Sequence, residues 1–347
     1  MKFLVIRFRQ MGDAILSTSL LNAIKNNFPD SETHFVLNDN IAPLFEGHPA
    51  INRLITFSKE ERHSPLKYLK KIFRIMRSEK YDVIIDMRST LNTLPFTMFA
   101  PSCRFRIGID KKYTLPFFNY RFNECISGNM CVHDVNLLSP LSKIKQLDLN
   151  VRMSLAVTNE ELDAYRKYLT ESGIDFNRPV LLCGVVTKDD DKEWAADRMC
   201  ESLTKIMEDF PTAQLIFNYA PGHEEKKALT MYETLGKPDN IFFHVKAKSM
   251  RELMCLATFS DAYFGNEGGA RHIVESMGTP SFVIGSPTIP KGLWVKESET
   301  AVCLTVSDID SGHNPHECDI TDAYQKITVS EVYSRLKPFL NKFMQHQ

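Results

Sequence analysis

The chain has 347 residues, 43% apolar and 24% charged, which is long for one hydrophobic core and comfortable for two. No apolar run approaches the ~20 residues of a membrane-spanning helix, and the opening MKFLVIRFRQ is too short and too charged for a secretory signal, so the reading is a cytosolic protein. The eight cysteines are scattered without a CxxC, which argues against a zinc finger or redox pair, and the net charge of −1 conceals an excess of +7 up to Asn150 and of −8 beyond it.

In chain order, residues 2–8 form a short apolar strand, and RQMGDA is the turn after it. From Ala14 the residues Ile15, Leu16, Leu20, Ala23, Ile24 and Phe28 recur at helical spacing until Pro29 ends the pattern. Strand-like runs follow at 34–37, 54–57, 83–86 and 105–109, separated by helix-length stretches. One of these, HSPLKYLKKIFRIMRSEK, puts Leu66, Leu69, Ile72, Phe73 and Met76 on one face and a basic back on the other. Much of the positive excess lies in residues 53–80 and 104–121, which suits an anionic glycolipid or membrane surface, although solvated Lys- and Arg-rich helix faces account for most of 66–80. No nucleic-acid-binding signature is present.

VNLLSPLSKI is helix-like but interrupted by Pro140, and then the alternation restarts: a capped helix at NEELDAYRKYLTESG, a buried strand at 179–186, a helix at 195–210. Strand QLIFNY, a helix over 224–235, strand NIFFHV, helix SMRELMCLA and strand DAYFG lead to a last helix, VSEVYSRLKPFLNKF, expected on a sheet and free to cross back to the first domain. The alternation predicts two doubly wound parallel sheets, with the boundary near residue 155. Ligands of such sheets bind beyond the C-terminal strand ends, so the cleft between two facing domains is the expected site.

Several turns at those ends carry chemistry. Asp13, beside Gly12, is placed to act as a general base for a hydroxyl nucleophile or as the N-cap of the helix that follows; the roles are compatible. In TKDDDKEW, Thr187, Lys188 and Lys192 are within reach of a phosphate, or are a charged surface turn. In NYAPGHEE, Glu224 or Glu225 can accept from ribose hydroxyls, or simply start a helix. GNEGGARH joins a strand to a helix whose first turn is cleared by Gly268 and Gly269, a cradle for a diphosphate, with Arg271 and His272 adding donors. His313, His316 and Cys318 offer metal-ligand chemistry, for which a polar loop is the simpler account. There is no GxGxxG or Walker A, which disfavours a nicotinamide dehydrogenase.

These segments together resemble glycosyltransferase family 9, the bacterial ADP-heptose:lipopolysaccharide heptosyltransferases. VIRFRQMGDAILSTSLLNAIKNNFP is similar to the family's opening strand, GD turn and helix; DDKEW to its lysine-bearing donor loop; APGHEE to its ribose-side loop; GNEGGARHIVESMGTPSFVIGSPT to its diphosphate signature; and CDI with ITVSEVY to its C-terminal helix entry. The resemblance implies a GT-B fold, with an acceptor domain at 1–155 and a nucleotide-sugar donor domain at 156–347, and inversion without an essential metal or other cofactor. It makes Asp13 the base, Lys192 the holder of the donor phosphates with Thr187 beside it, and Gly268, Gly269 and His272 their further contacts. Glu224 matches the ribose contact, and Glu267 stands in the signature. Arg104, Arg106 and Arg121 become candidates for acceptor phosphates. The chain departs from the family in having Glu267-Gly268-Gly269 where Asp-Thr-Gly is usual, which removes a hydroxyl and lengthens the carboxylate. The implied partners are an ADP-sugar and an anionic lipopolysaccharide core, with no nucleic acid, at the cytoplasmic face of the inner membrane. Two alternatives stay open: an epimerase or hydrolase of the same build, and a non-catalytic nucleotide-sugar binder.

Overall fold

The computed structural model describes residues 1–124, 128–294 and 296–345. Two compact units divide the chain, Met1–Ala156 and Val157–Gln347.

The first unit holds strands β1 (Lys2–Ile6), β2 (Glu32–Asn38), β3 (Arg53–Phe57), β4 (Val83–Asp86), β5 (Phe105–Ile109) and β6 (Tyr120–Phe122), with helices α1 (Met11–Leu16), α2 (Thr18–Asn27), α3 (Lys59–His63), α4 (Pro65–Ser78), α5 (Leu94–Met98) and α6 (Met130–Asn136). The strands form one parallel sheet in the order β3-β2-β1-β4-β5-β6. Phe3, Leu4, Val5 and Ile6 are all fully buried, as a central parallel strand covered on both faces requires. On one face Leu4, Ile6, Val36, Ile55 and Ile84 pack against Tyr68, Ile72, Ile75 and Met76 of α4. The first helical segment begins three residues earlier than its apolar spacing indicates and breaks at Ser17, whose hydroxyl donates to the Asp13 carbonyl. Beyond α6, Pro140 falls in a 3-10 turn, Ser139–Lys143, in place of a continued helix.

The second unit has strands β7 (Val180–Gly184), β8 (Gln214–Phe217), β9 (Ala262–Asn266), β10 (Ser281–Ile284) and β11 (Ala301–Leu304), and helices α7 (Asn159–Glu171), α8 (Ala196–Asp209), α9 (His223–Thr234), α10 (Met250–Thr258), α11 (Gly269–Ser276), α12 (Ile320–Lys326) and α13 (Val329–Phe343). Its sheet is also parallel, in the order β11-β10-β9-β7-β8. The last helix belongs to this unit: Val332, Leu336 and Leu340 join the core of Leu203, Ile206 and Phe282, and the rings of Phe339 and Phe282 lie 5.9 Å apart. NIFFHV, expected as a strand, makes one sheet pairing among the described residues, Ile241 with Leu215. Its backbone turns instead, because Phe243 is drawn between the rings of Tyr219 and Tyr232, each 5.0 Å away.

The strand order reverses between β1 and β4 in one sheet and between β7 and β9 in the other. A reversal splays the flanking loops apart and opens a crevice at the C-terminal strand ends.

Candidate active site

In the first unit the reversal is lined by residues just past β1 and β4. The chain leaves β1 through Arg7, Phe8 and Arg9, Gln10 takes the N-cap position, and Asp13 is the third residue of α1. Asp13 is therefore not the helix cap, and its carboxylate turns to arginines. Oδ1 lies 3.4 Å from Arg7 Nη2, and Oδ2 lies 3.8 Å from Arg9 Nε. Arg7 is almost wholly buried, donates Nη1–H to the Met87 carbonyl at 3.2 Å, and has Asp134 Oδ2 4.0 Å away on α6. Arg88 donates to the Phe8 carbonyl at 3.0 Å, which brings a third guanidinium to the same loops. Desolvation, with the charges of Arg9 and Arg7, lowers the pKa of Arg88, and Asp13 and Asp86 oppose that shift. Desolvation pushes the fully buried Asp86 carboxyl up, although it accepts from the amides of Arg88 and Ser89. Three guanidinium groups thus share these loops with the partly exposed Asp13 and the buried Asp86 and Asp134.

Arg7, Arg9 and Arg88 escape a reading of the sequence because Arg7 falls inside what reads as strand and Arg9 and Arg88 stand singly just after strands. Their signal is position, since all three lie just beyond C-terminal strand ends. Of the arginines expected to hold acceptor phosphates, Arg121 is at the same strand ends, level through Gly108 with Asp86, and Arg104 and Arg106 are not. Arg104 and Arg106 stand at the start of β5, at the sheet edge opposite Asp13, where Arg106 pairs in register with Ile84. Arg106 donates to the carbonyls of Phe117, Pro101 and Cys103, and Arg104 lies over the Phe105 ring. Arg121 forms an ion pair with Asp110.

In the second unit the loops after β7 and β9 meet. Thr187 donates its hydroxyl to the Asp189 carbonyl at 2.7 Å, and its amide to Glu193 Oε2 at 2.9 Å. A Cβ on Gly268 would stand 4.0 Å from Thr187 Cγ2, so the two loops adjoin. Asn266, at the end of β9, clasps them. Its Oδ1 accepts from the amide of the fully buried Trp194 at 2.9 Å, and its Nδ2 donates to the Val185 carbonyl at 3.0 Å. Lys192, in a 3-10 turn, pairs with Asp189 at 2.8 Å. Both partners face solvent, so the pair contributes little.

Close to the glycines is a buried ionic cluster. Arg271 has no exposed surface; its Nη1 donates to Glu275 at 2.8 Å and its Nη2 reaches Glu267 at 3.3 Å. Burial disfavours its charge, but the Glu275 and Glu267 carboxylates hold its pKa above the ordinary arginine range. The other oxygen of Glu267 accepts from the Ser286 amide at 3.1 Å. Both oxygens of Glu267 are thereby engaged inside the unit, where they brace the turn. His272 is buried, and desolvation with the Arg271 charge drives its pKa well below the ordinary value, so the ring is neutral. Its Nε2 lies 3.2 Å from Arg271 Nη2. A guanidinium only donates, so Nε2 accepts and Nδ1 carries the hydrogen. That Nδ1 is buried and has no partner among the described residues. An unpartnered N–H on the first turn of α11, where Gly268 supplies no capping side chain, suits a phosphate oxygen.

After β8, Glu224 Oε2 accepts from the Ala220 amide at 2.9 Å and braces the turn that Gly222 makes at φ +92°. Glu225 pairs with Lys246. His313 donates Nε2–H to the Pro287 carbonyl at 2.7 Å, and Cys318 Sγ lies 3.6 Å from that oxygen, so this segment is tied to the loop after β10.

The sequence matches the model of glycosyltransferase family 9 (heptosyltransferase) over residues 69–317. It is 25% identical over 303 residues to lipopolysaccharide heptosyltransferase 1 of Campylobacter coli, which covers 83% of this chain and 84% of that one. Among solved structures, a family 9 glycosyl transferase from Veillonella parvula superposes with a TM-score of 0.80 at 15% identity, over 98% of this chain and 97% of that one. The E. coli heptosyltransferase WaaC, solved with ADP-2-deoxy-2-fluoro heptose, gives 0.67 at 14% identity, over 97% and 99%. At these identities the structural likeness concerns the fold.

Proposed function

The chain belongs to glycosyltransferase family 9 and is a glycosyltransferase, and from that premise we propose that it moves a heptose, or a related sugar, from ADP-heptose to an anionic lipopolysaccharide core, inverting the anomeric carbon. The observation that carries this reading is the pair of chemistries at the two strand-order reversals. One has a partly exposed carboxylate among arginines; the other has a lysine, a neutral imidazole N–H and a glycine-started helix.

In this reading Asp13 takes the proton from the acceptor hydroxyl as its oxygen attacks the anomeric carbon. The bond from that carbon to the ADP oxygen breaks in the same step, and the diphosphate leaves with the electron pair. A single displacement inverts the centre. Lys192, the His272 Nδ1–H and the first-turn amides of α11 receive the charge that develops on the leaving group. Thr187 and Glu224 hold the donor from neighbouring loops. Arg9 and Arg88 replace Arg104 and Arg106 and join Arg121 as our candidates for acceptor phosphates or carboxylates, since they share the strand ends that carry Asp13. We assign the reaction to the cytoplasmic side of the inner membrane, where such an acceptor is built.

The test is a panel of ADP-, GDP- and UDP-sugars scored first by thermal stabilisation, then by product formation on a truncated, heptose-free glycolipid. ADP-heptose should stabilise the protein and yield a product only when acceptor is present. Turnover of donor without acceptor would favour an epimerase or hydrolase. Nucleotide binding with no turnover on any glycolipid would favour a non-catalytic binder.

A further inference from the structure

The outer side of α4 is unexplained by the reaction. Its inner face, Tyr68, Ile72, Ile75 and Met76, belongs to the core. Its outer face is also apolar, with Leu66 84%, Leu69 41% and Phe73 53% exposed. The spacing i, i+3, i+7 sets these three in one row along the helix. The row continues beyond it, because the half-exposed Phe99 presents its ring edge-on to Phe73 at 5.4 Å. Single exposed apolar side chains are ordinary on a soluble protein; a contiguous row is not.

Beside it runs a second row with the same spacing, one residue further on: Lys67, Lys70, Arg74 and Arg77. The helix has five basic residues and no acidic one. Lys71, on the flank nearer the core, pairs with Glu61 at 2.7 Å, whereas among the described residues none of the other four makes an ion pair. The N-terminal end of α4 is tied to the loop after β4 by Tyr68 Oη donating to the Asn92 carbonyl at 2.8 Å. That loop follows Arg88, so Leu66 stands at the sheet edge that carries Asp13.

We propose that this face docks on an anionic phospholipid surface. Helix α4 lies along the headgroup layer, its apolar row enters the tops of the acyl chains, and the neighbouring cations meet lipid phosphates. An amphipathic helix with aromatic and leucine side chains beside unpaired lysines and arginines is built for that boundary. A second copy of the chain is a poorer occupant, since a two-fold contact through α4 would bring like-charged rows together. The proposal rests on the first unit's surface and holds whichever sugar and acceptor the site takes.

The experiment is co-sedimentation of the full chain, at physiological salt, with vesicles of phosphatidylglycerol and phosphatidylethanolamine, and with vesicles of phosphatidylcholine alone. The protein should partition onto the first and not the second. Lys70→Gln with Arg74→Gln should weaken partitioning about 25-fold, on about fivefold per cation near an anionic surface. Leu66→Ser with Phe73→Ser should weaken it by at least about tenfold through lost apolar burial. Both pairs should leave transfer to a detergent-free, deacylated acceptor unchanged. Equal binding to both vesicle types, or binding untouched by both double variants, overturns the proposal. So does a dimer in solution that Leu66→Ser with Phe73→Ser converts to monomer. Loss of transfer with vesicle binding intact would count against the proposed reaction and not against the docking face.

Discussion

Asp13 carries the most specific chemical claim, and its surroundings decide which substitution tests it. Removing the carboxylate as alanine would leave the buried Arg7 with Asp134, 4.0 Å away, as its one carboxylate partner among the described residues, and would mix a stability effect into the rate. Asp13→Asn keeps an acceptor oxygen for Arg7 while removing the base. It should lower transfer by about 10² to 10⁴ with donor affinity, read by calorimetry, nearly unchanged. Transfer within about threefold of wild type would leave Asp13 as a partner for arginines only. Gly268 gives a second test, at the site of the departure from Asp-Thr-Gly. Its φ of −176° is extended backbone open to any residue, and among the described residues the one neighbour of an added Cβ is Thr187 Cγ2 at 4.0 Å. Gly268→Thr should therefore fold with stability within about 0.5 kcal/mol of wild type, and a restored hydroxyl should tighten ADP-sugar binding. A fall in melting temperature of several degrees, or weaker binding, would mean that the loops need glycine there. At this scale the sequence showed which residues stand at strand ends better than which partners they meet. Glu267 reads as a ligand contact, yet its oxygens meet Arg271 and Ser286, partners four and nineteen positions away. Only the first of those is visible as helical spacing.

Among the elements, the meeting of β7 and β9 positions the loops proposed to hold the donor. Gly184 and Gly265 face each other in register across this pair. A Cβ on Gly265 would lie 2.4 Å from the Gly184 carbonyl oxygen, and backbone in a central strand has nowhere to retreat. Gly265→Ala should then destabilise the second unit by roughly 1–3 kcal/mol or more, as overpacking does, and should weaken ADP binding with it because Asn266, the next residue, holds Trp194 and Val185. A denaturation midpoint equal to wild type would show that the strands can separate locally without cost. The glycines were legible in the sequence as a turn before a helix, which is correct for Gly268 and Gly269. That Gly265 serves strand contact was not legible, because strand pairing across about 80 residues leaves no local pattern. The NIFFHV segment misled for a related reason: an apolar run states that it is buried, not whether a sheet or a cluster of aromatic rings buries it.

For the molecule as a whole, the two-unit parallel architecture was legible because each element carries its own period and the alternation repeats through both halves. The acceptor side was not, since charge read along the chain, at 53–80 and 104–121, does not say which sheet edge each cation reaches. The final prediction separates these. Arg9 is 40% exposed at its side chain, and Arg88 stands on the same loops, so both are open to an anionic acceptor and to salt. Exposed charges are screened over about 8 Å at physiological ionic strength, so the apparent acceptor constant should rise with salt. The donor constant should change less, because a buried imidazole N–H and backbone amides do part of the holding. Arg9→Ala with Arg88→Ala should raise the acceptor constant and flatten its salt dependence while sparing the donor constant. Arg104→Ala, at the opposite sheet edge, should alter neither. Initial rates with each substrate varied in turn, at several salt concentrations, decide the matter. An acceptor constant that responds to Arg104 and ignores Arg9 and Arg88 would move the acceptor away from the β1–β4 reversal, and Asp13 would lose its claim to be the base.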